Sequence, residues 1–188
     1  MNKFHLDTNT NNKITNILQN IIPNINLKGE YSLYPENETG RDWKYNTSKE
    51  YLDSNKKLIE ATKEKYPPVY QYLLCFEQKL IPNELTSLVQ KIYPHNEIKI
   101  SGHFYYPNKG YIGWHTNCDQ PNTKRLYITY ASKDKKSFFR YLENGEIITC
   151  YDNKGITVRE FDIPTMPQFF WHCVGSECDR YSFGFKII

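Results

Sequence analysis

From residue 97 onward, hydrophobic and polar side chains alternate in short runs, which is the period of a β-strand. The runs are rich in β-branched and aromatic residues and are separated by turn sequences such as Pro-Asn-Lys-Gly, Glu-Asn-Gly and Asp-Asn-Lys-Gly. Eight short strands of this kind are typical of a small barrel or jelly roll that can hold one small ligand. The predicted strands are residues 98–106, 110–115, 125–131, 137–142, 146–151, 156–161, 168–174 and 179–187.

The first half of the chain has the longer period of an amphipathic helix. Ile14, Ile17, Leu18 and Ile21 recur at helical spacing and stop before Pro23. Similar patterns predict a lysine-rich helix from 51 to near 67, a buried helix at 69–80, a helix at 84–93 and one strand at 31–34. We expect these helices to support the sheet. The chain is then a single domain, 1–188, with a helical supporting region at 1–96 and a β core at 97–188.

Length and composition predict a folded protein. The 188 residues are enough for one domain, and 16 Tyr and 10 Phe supply ample surface to bury. No apolar run approaches the roughly 20 residues of a membrane span, and the first residues lack a secretory signal. Five cysteines form no CxxC and no even disulfide set. We therefore expect a soluble, cytoplasmic protein with no membrane partner.

Three positions in the β half fit together as a metal site. His115 ends the second predicted strand, and His172 lies 57 residues later in the seventh. These strands are neighbours in a jelly roll, so both imidazoles can project into the same open end of the barrel. Arg180 and Ser182 share one face at the start of the last strand. Each residue alone is more often a packed or surface residue, so the conjunction carries the prediction.

The spacing of His115, His172 and the Arg180-x-Ser182 pair resembles that of the iron(II)- and 2-oxoglutarate-dependent oxygenases, over about residues 97–188. The resemblance implies a double-stranded β-helix in which two histidines and one carboxylate bind iron. It also implies that the Arg-x-Ser pair binds the distal carboxylate of 2-oxoglutarate, and that O₂ is the other reactant. A guanidinium matches a carboxylate bidentately, and inside a barrel its charge is costly without an anionic partner.

The third metal ligand departs from the family pattern. The usual motif is His-x-Asp or His-x-Glu, and here Asn117 stands in that place. Two residues of extended chain span about 6.6 Å and point to the same face, so Asn117 has the right position without the charge. Asp119 has the charge but lies about 13 Å along an extended chain, so it requires a sharp turn after His115. We expect Asn117 to face the metal as a neutral ligand or as a neighbour of the ligands, with Asp119 as the alternative.

Two tyrosines are candidates for cosubstrate binding. Tyr106-Pro107 with Gly110 looks like the Tyr-x-Pro-Gly stretch before the first metal histidine in nucleic-acid demethylases of this superfamily. By that resemblance Tyr106 would hydrogen-bond 2-oxoglutarate. Tyr127 on the third predicted strand is the alternative, and a buried core tyrosine is the competing interpretation of both residues.

Several other residues leave two interpretations open. His103 is either a substrate contact or, as we favour, a core histidine. Arg140 faces the pocket or forms an ion pair outside it. Trp114 and Trp171 directly precede the two metal histidines, so they should point to the opposite face and pack in the core.

Together these residues predict a 2-oxoglutarate-dependent dioxygenase, an oxidoreductase whose simplest reaction is hydroxylation. Two other classes stay open: a non-catalytic jelly-roll binding module, and a metal-dependent cupin enzyme that does not use 2-oxoglutarate. With 24 basic and 21 acidic residues, the charge balance gives no indication of nucleic acid. A protein side chain or a small molecule is therefore the expected substrate, and the sequence does not indicate an oligomeric state.

Overall fold

A computed structural model describes residues 2–3, 6–28, 32–34, 42–62, 69–117, 121–165 and 168–188. This part of the chain is mainly β, with helices packed against a curled antiparallel sheet. In chain order, the strands are β1 Asn2–Lys3, β2 Ser32–Tyr34, β3 Gln71–Cys75, β4 Ile98–Tyr106, β5 Tyr111–His115, β6 Thr123–Ala131, β7 Ser137–Glu143, β8 Glu146–Tyr151, β9 Gly155–Ile163, β10 His172–Ser176 and β11 Arg180–Ile187.

The sheet folds over so that its two halves enclose an interior. The strand order is β1-β9-β6-β11-β4-β3-β5-β10-β7-β8, with β2 beside β3. Strand β3 joins the halves because Leu74 and Cys75 pair with β4, whereas Gln71 and Tyr72 pair with β5. One half is therefore β1-β9-β6-β11-β4 and the other is β5-β10-β7-β8. Their inner faces form the interior in which the candidate site lies.

Helices cover the outer faces of both halves. Their bounds are α1 Thr8–Ile21, α2 Trp43–Asn46, α3 Lys49–Thr62 and α4 Asn83–Ile92. Helix α1 starts where the Asp7 side chain accepts a hydrogen bond from the Thr10 amide at 3.0 Å. Its apolar stripe belongs to one core cluster with that of α4 and with outward side chains of β6 and β11, a cluster that includes Leu18, Leu85 and Phe183. Among the described residues, no helix is long and apolar enough to cross a membrane.

The strands predicted from alternation in the second half are present as β4 to β11, with ends shifted by a few residues. The predicted helices at the start of the chain and at 84–93 correspond to α1 and α4. The predicted helix at 69–80 is wrong, since this segment forms β3 and a short 3₁₀ turn at Gln78–Leu80. A short apolar run fits a buried strand and a buried helix equally well, and here pairing with β4 and β5 selects the strand.

Candidate active site

A β-bulge in β5 turns His115 into the interior. In the pairing of β5 with β10, His172 faces His115 while Val174 faces Ile112. Strand β5 therefore advances three residues where β10 advances two, which places one extra residue in β5. Because of this extra residue, Trp114 packs outward in an aromatic cluster while its neighbour His115 lines the interior cavity.

The two imidazoles are adjacent and carry the same hydrogen-bond arrangement. Their ring centroids are 4.1 Å apart. Nδ1 of His115 lies 2.8 Å from the carbonyl oxygen of Gly113, and Nδ1 of His172 lies 2.9 Å from that of Phe170. A carbonyl oxygen only accepts hydrogen bonds, so each Nδ1 carries the proton and each Nε2 presents a lone pair. A backbone partner of this kind fixes the ring and tautomer of metal-binding histidines.

Both histidines are held in the neutral state that metal binding requires. Burial lowers the pKa of His115 to about 4, although the hydrogen bond to Gly113 opposes this shift. Burial also holds the pKa of His172 well below its usual range, and the charges of His115 and Arg125 act in the same direction. At neutral pH both side chains are therefore uncharged imidazoles.

Asn117 is the next polar group beside this pair. Its Nδ2 lies 3.3 Å from Nε2 of His172, and it hydrogen-bonds the Tyr127 hydroxyl. Within the described residues, no three His, Cys, Asp or Glu side chains converge as a metal cluster. Asp119, the alternative ligand, lies outside the described residues. Among the described residues, the polar groups beside His172 thus include the His115 imidazole and the Asn117 carboxamide.

A narrow cavity of about 30 Å³ lies between the two halves of the sheet. It brings together most of the site residues that the sequence predicts. The lining residues that the sequence predicts are Tyr106, His115, Tyr127, His172, Arg180 and Ser182. The lining residues that it does not predict are Gly102, Phe104, Ile112 and Val174.

Arg180 lines this cavity and has an internal partner that the sequence pattern does not indicate. Its guanidinium is buried, and Nε donates to Oδ2 of Asp152 at 3.0 Å. Nη2 donates to the Thr129 hydroxyl at 3.3 Å, and Cζ lies 4.9 Å from the centre of the Tyr106 ring. Nη1 is buried and has no hydrogen-bond partner among the described residues. The terminal fork of the guanidinium consists of Nη1 and Nη2, and of these two atoms Nη1 has no hydrogen-bond partner among the described residues.

Asp152 connects Arg180 to a second buried guanidinium, that of Arg159. Oδ1 of Asp152 accepts a hydrogen bond from Nη1 of Arg159, and Oδ2 also accepts one from the Ser137 hydroxyl at 2.5 Å. Burial alone would raise the pKa of Asp152, but the Arg180 and Arg159 charges outweigh it and lower the pKa to about 2. The carboxylate is therefore ionised at neutral pH.

The two candidate tyrosines occupy different places. Tyr106 lies under the Arg180 guanidinium, whereas Tyr127 hydrogen-bonds Asn117 beside the histidines. Burial raises the pKa of both hydroxyls, and nearby arginine charges only partly oppose this shift. Both hydroxyls are therefore neutral at physiological pH, and the Tyr106 hydroxyl accepts a hydrogen bond from Arg180.

His103 and Arg140 do not line the cavity. His103 lies against Phe76, whose carbonyl oxygen contacts its Nδ1. Arg140 lies over the Phe138 ring and donates to the Thr47 carbonyl at 2.9 Å. His103 therefore packs beside the core, and Arg140 links the sheet to the segment before α3 rather than facing the pocket.

Comparison with known proteins gives weak matches in structure alone. A prolyl-4-hydroxylase from Pseudomonas putida is 10% identical, with a TM-score of 0.40, and the match covers 84% of this chain and 91% of that one. An oxidoreductase of the 2OG-Fe(II) oxygenase family from Burkholderia pseudomallei is 9% identical, with a TM-score of 0.37 and coverage of 98% and 92%. No family model and no curated protein matches the sequence. Similarity at this level carries no argument about function, which must come from the residues of this chain.

Proposed function

We propose that this protein is an iron(II)- and 2-oxoglutarate-dependent dioxygenase, and that its reaction is a hydroxylation. The fold that this proposal requires is a double-stranded β-helix. Two facing halves in the orders β4-β11-β6-β9 and β5-β10-β7-β8 support it, because the second and seventh strands of the β core are then neighbours. In the pairing of these two strands, β5 and β10, His115 lies opposite His172.

The observation that carries the proposal is the paired histidine geometry. Two neutral imidazoles, each fixed through Nδ1 by a backbone carbonyl, present Nε2 to the same cavity. Imidazole suits iron(II), and two histidines with one further oxygen leave coordination positions open. His115 and His172 would hold the metal. Asn117 would supply its amide oxygen after rotation of the carboxamide, or Asp119 would supply a carboxylate.

Arg180, which lines the same cavity, suits the distal carboxylate of 2-oxoglutarate. Nη1 of Arg180 is a buried donor that still needs an acceptor, and leaving such a group unsatisfied is costly. A carboxylate received on the terminal fork would gain a charge-assisted hydrogen bond. Ser182 lies two residues after Arg180 on β11 and lines the same cavity. The Tyr106 ring packs against the Arg180 guanidinium.

When bound, iron and 2-oxoglutarate together supply oxygen activation coupled to decarboxylation to succinate. The chain itself contributes placement and exclusion of water. The His172 ring is surrounded by Phe139, Phe161 and Phe170, whose ring centroids lie 5.4, 5.5 and 5.3 Å from it. This apolar wall protects one side of the metal position from solvent and strengthens the electrostatic interactions inside the cavity.

Anaerobic reconstitution tests the proposal. Purified protein is titrated with iron(II) and then with 2-oxoglutarate, and the weak visible charge-transfer band of the chelate is recorded. Admission of O₂ should then yield succinate. His172→Ala should abolish both signals. His95→Ala is the matched control because His95 is exposed and lies outside the cavity lining, and it should retain both. A protein that binds iron but shows neither band nor succinate would contradict the proposal.

A second candidate is a metal-dependent enzyme of the cupin type that does not use 2-oxoglutarate. The specific observation in its favour is the pairing of Arg180 with Asp152, which already gives the guanidinium an anionic partner. In that case iron would bind, and 2-oxoglutarate would leave the spectrum unchanged.

The substrate class that we propose is a protein side chain or a small molecule rather than nucleic acid. The near-neutral charge balance of 24 basic and 21 acidic residues supports this class. A strongly basic surface would be required for phosphate-backbone binding.

A further inference from the structure

Arg180, Asp152 and Arg159 form a group of three charged side chains beside the cavity, and all of them are buried. The side chains of Arg180 and Arg159 are each 1% exposed and that of Asp152 is 0% exposed. Only Arg180 lines the cavity, so Asp152 and Arg159 lie behind it. Asp152 receives Arg180 on one carboxylate oxygen and Arg159 on the other. This arrangement makes one carboxylate the link between two guanidiniums.

The charge balance of this group depends on Arg159. Asp152 and Arg180 alone would form a neutral pair, which offers little attraction to a further carboxylate. With Arg159 present, two positive charges and one negative charge leave a net charge of +1. Arg159 is fixed in place because Nη2 donates to the carbonyl oxygens of Cys150 and Tyr151, at 3.1 and 3.2 Å. It therefore supplies its charge without reaching the cavity.

Asp152 also determines which edge of Arg180 is available. The contact of Nε with Asp152 and the contact of Nη2 with Thr129 occupy the side of the guanidinium. Nη1 has no hydrogen-bond partner among the described residues, and together with Nη2 it forms the terminal fork that can donate to a carboxylate bidentately. The group thus combines a fixed orientation with a residual positive charge.

We propose that Arg159 is a specificity-determining residue for the distal carboxylate of the cosubstrate, acting through Asp152 on Arg180. The inference rests on the proposed function, because the ligand in question is 2-oxoglutarate. Arg159 acts as a positioning and charge-balancing residue and does not touch the ligand. Asp152 keeps Arg180 oriented, and Arg159 prevents Asp152 from neutralising it.

The test compares variants by their net charge. Arg159→Gln lowers the net charge of the group from +1 to 0, and should weaken 2-oxoglutarate binding by about tenfold or more while metal affinity stays unchanged. The double variant Asp152→Asn with Arg159→Gln returns the net charge to +1 through Arg180 alone. It should recover most of the lost affinity. A purely structural role for Arg159 predicts the opposite, since the double variant removes more contacts than the single one.

The measurements are anaerobic titrations of the iron-loaded protein, followed by the charge-transfer band, together with KM and kcat for succinate formation. Arg159→Gln should raise the KM for 2-oxoglutarate and leave kcat nearly constant. The probe 2-oxopentanoate has the same chain length without the distal carboxylate, so its affinity should not respond to Arg159→Gln. Lys99→Gln is the control because Lys99 is an exposed lysine paired with Glu97.

The outcomes separate the inference from the proposed function. A wild-type protein that binds no 2-oxoglutarate contradicts the proposed function itself. A wild-type protein that binds it with the same affinity as Arg159→Gln overturns the inference alone, as does a double variant that binds no better than the single one. If Arg159→Gln does not fold, Arg159→Lys and the double variant are compared with wild type. Both should bind 2-oxoglutarate within a few-fold of wild type, and a tenfold loss in either overturns the inference.

Discussion

The amide nitrogen of Asn117 lies 3.3 Å from Nε2 of His172, directly beside the atom that would bind the metal. A carboxylate at this position would add one negative charge to the ligand set of a divalent cation. We therefore expect Asn117→Asp to raise iron(II) affinity by about tenfold, and Asn117→Ala to lower it by a similar factor. Anaerobic competition with a metal chelator measures both changes.

Asp119→Asn provides the complementary variant. If Asn117 faces the metal, this change should leave iron affinity within a factor of about two, because a residue outside the ligand set contributes little. A large loss of affinity in Asp119→Asn, with no effect of Asn117→Ala, would instead identify Asp119 as the ligand. That result would be compatible with the proposed enzyme class, but it would contradict Asn117 as the third metal ligand.

The separate positions of Tyr106 and Tyr127 predict different defects. Tyr106→Phe removes a hydroxyl close to Arg180 and should raise the KM for 2-oxoglutarate by about threefold to tenfold. Tyr127→Phe removes the hydrogen bond to Asn117 and should weaken metal binding rather than cosubstrate binding. Chelator competition and steady-state kinetics on both variants separate the two effects. The same defect in both variants would contradict the separation.

Much of the cavity follows from the sequence because strands of alternating polarity place every second side chain on the inner face. Because the second and seventh strands of a jelly roll are neighbours, the sequence predicts His115 and His172 on adjacent strands. Arg180 and Ser182 share a face because they are two residues apart on β11. These features depend on local pattern and on strand order alone.

The features that could not be predicted depend on tertiary contacts. The bulge before His115 is visible only in the pairing register with β10. Asp152 stands in an Asp-Asn-Lys-Gly sequence that is typical of an exposed turn, yet its side chain is fully buried. The sequence could have indicated Arg159 as a buried residue, because it is one of few arginines and shares a face of β9 with Phe161. Nothing comparable in the sequence indicates that its partner Asp152 is buried.

The buried carboxylate of Asp152 predicts a specific pH dependence of stability. Its pKa is lowered from 3.8 to about 2 in the folded chain. A depressed carboxyl pKa stabilises the fold above the unfolded value, and this contribution is lost as the pH falls from about 4 towards 2. The shift corresponds to about 2 kcal/mol. Asp152→Asn should therefore be less stable than wild type at pH 7 by at least this amount, and the difference should shrink below pH 4.

Urea unfolding between pH 7 and pH 2.5 measures this difference. Asp162→Asn is the control because Asp162 is an exposed carboxylate paired with Lys124, and it should change stability by less than about 1 kcal/mol. A gap between wild type and Asp152→Asn that stays constant over the whole pH range would show that the Asp152 charge does not stabilise the fold.

The tight packing around Gly113 predicts a link between the backbone there and the proposed metal site. A Cβ at this position would lie 3.1 Å from the carbonyl oxygens of Asn46 and Tyr70, both of which belong to the backbone. Gly113→Ala should therefore cost about 1–3 kcal/mol in stability. It should also weaken metal binding, because the Gly113 carbonyl fixes the His115 ring.

Gly145→Ala is the matched control for this effect. Gly145 has a φ of +84°, and no described atom lies within 4 Å of the position that a Cβ would take, so alanine there strains only the turn. It should lower the melting temperature without changing metal affinity. Equal metal affinity in Gly113→Ala and wild type would show that the bulge does not control His115.

The proposed function requires that His115 and His172 bind one metal while Arg180 receives a carboxylate. A crystal structure of the anaerobic complex with iron(II) and 2-oxoglutarate, with anomalous data at the iron edge, tests both requirements at once. We expect one anomalous peak roughly 2 Å from Nε2 of both histidines, with the distal carboxylate on the terminal fork of Arg180. A peak elsewhere, or a 2-oxoglutarate that does not reach Arg180, would contradict the proposed function.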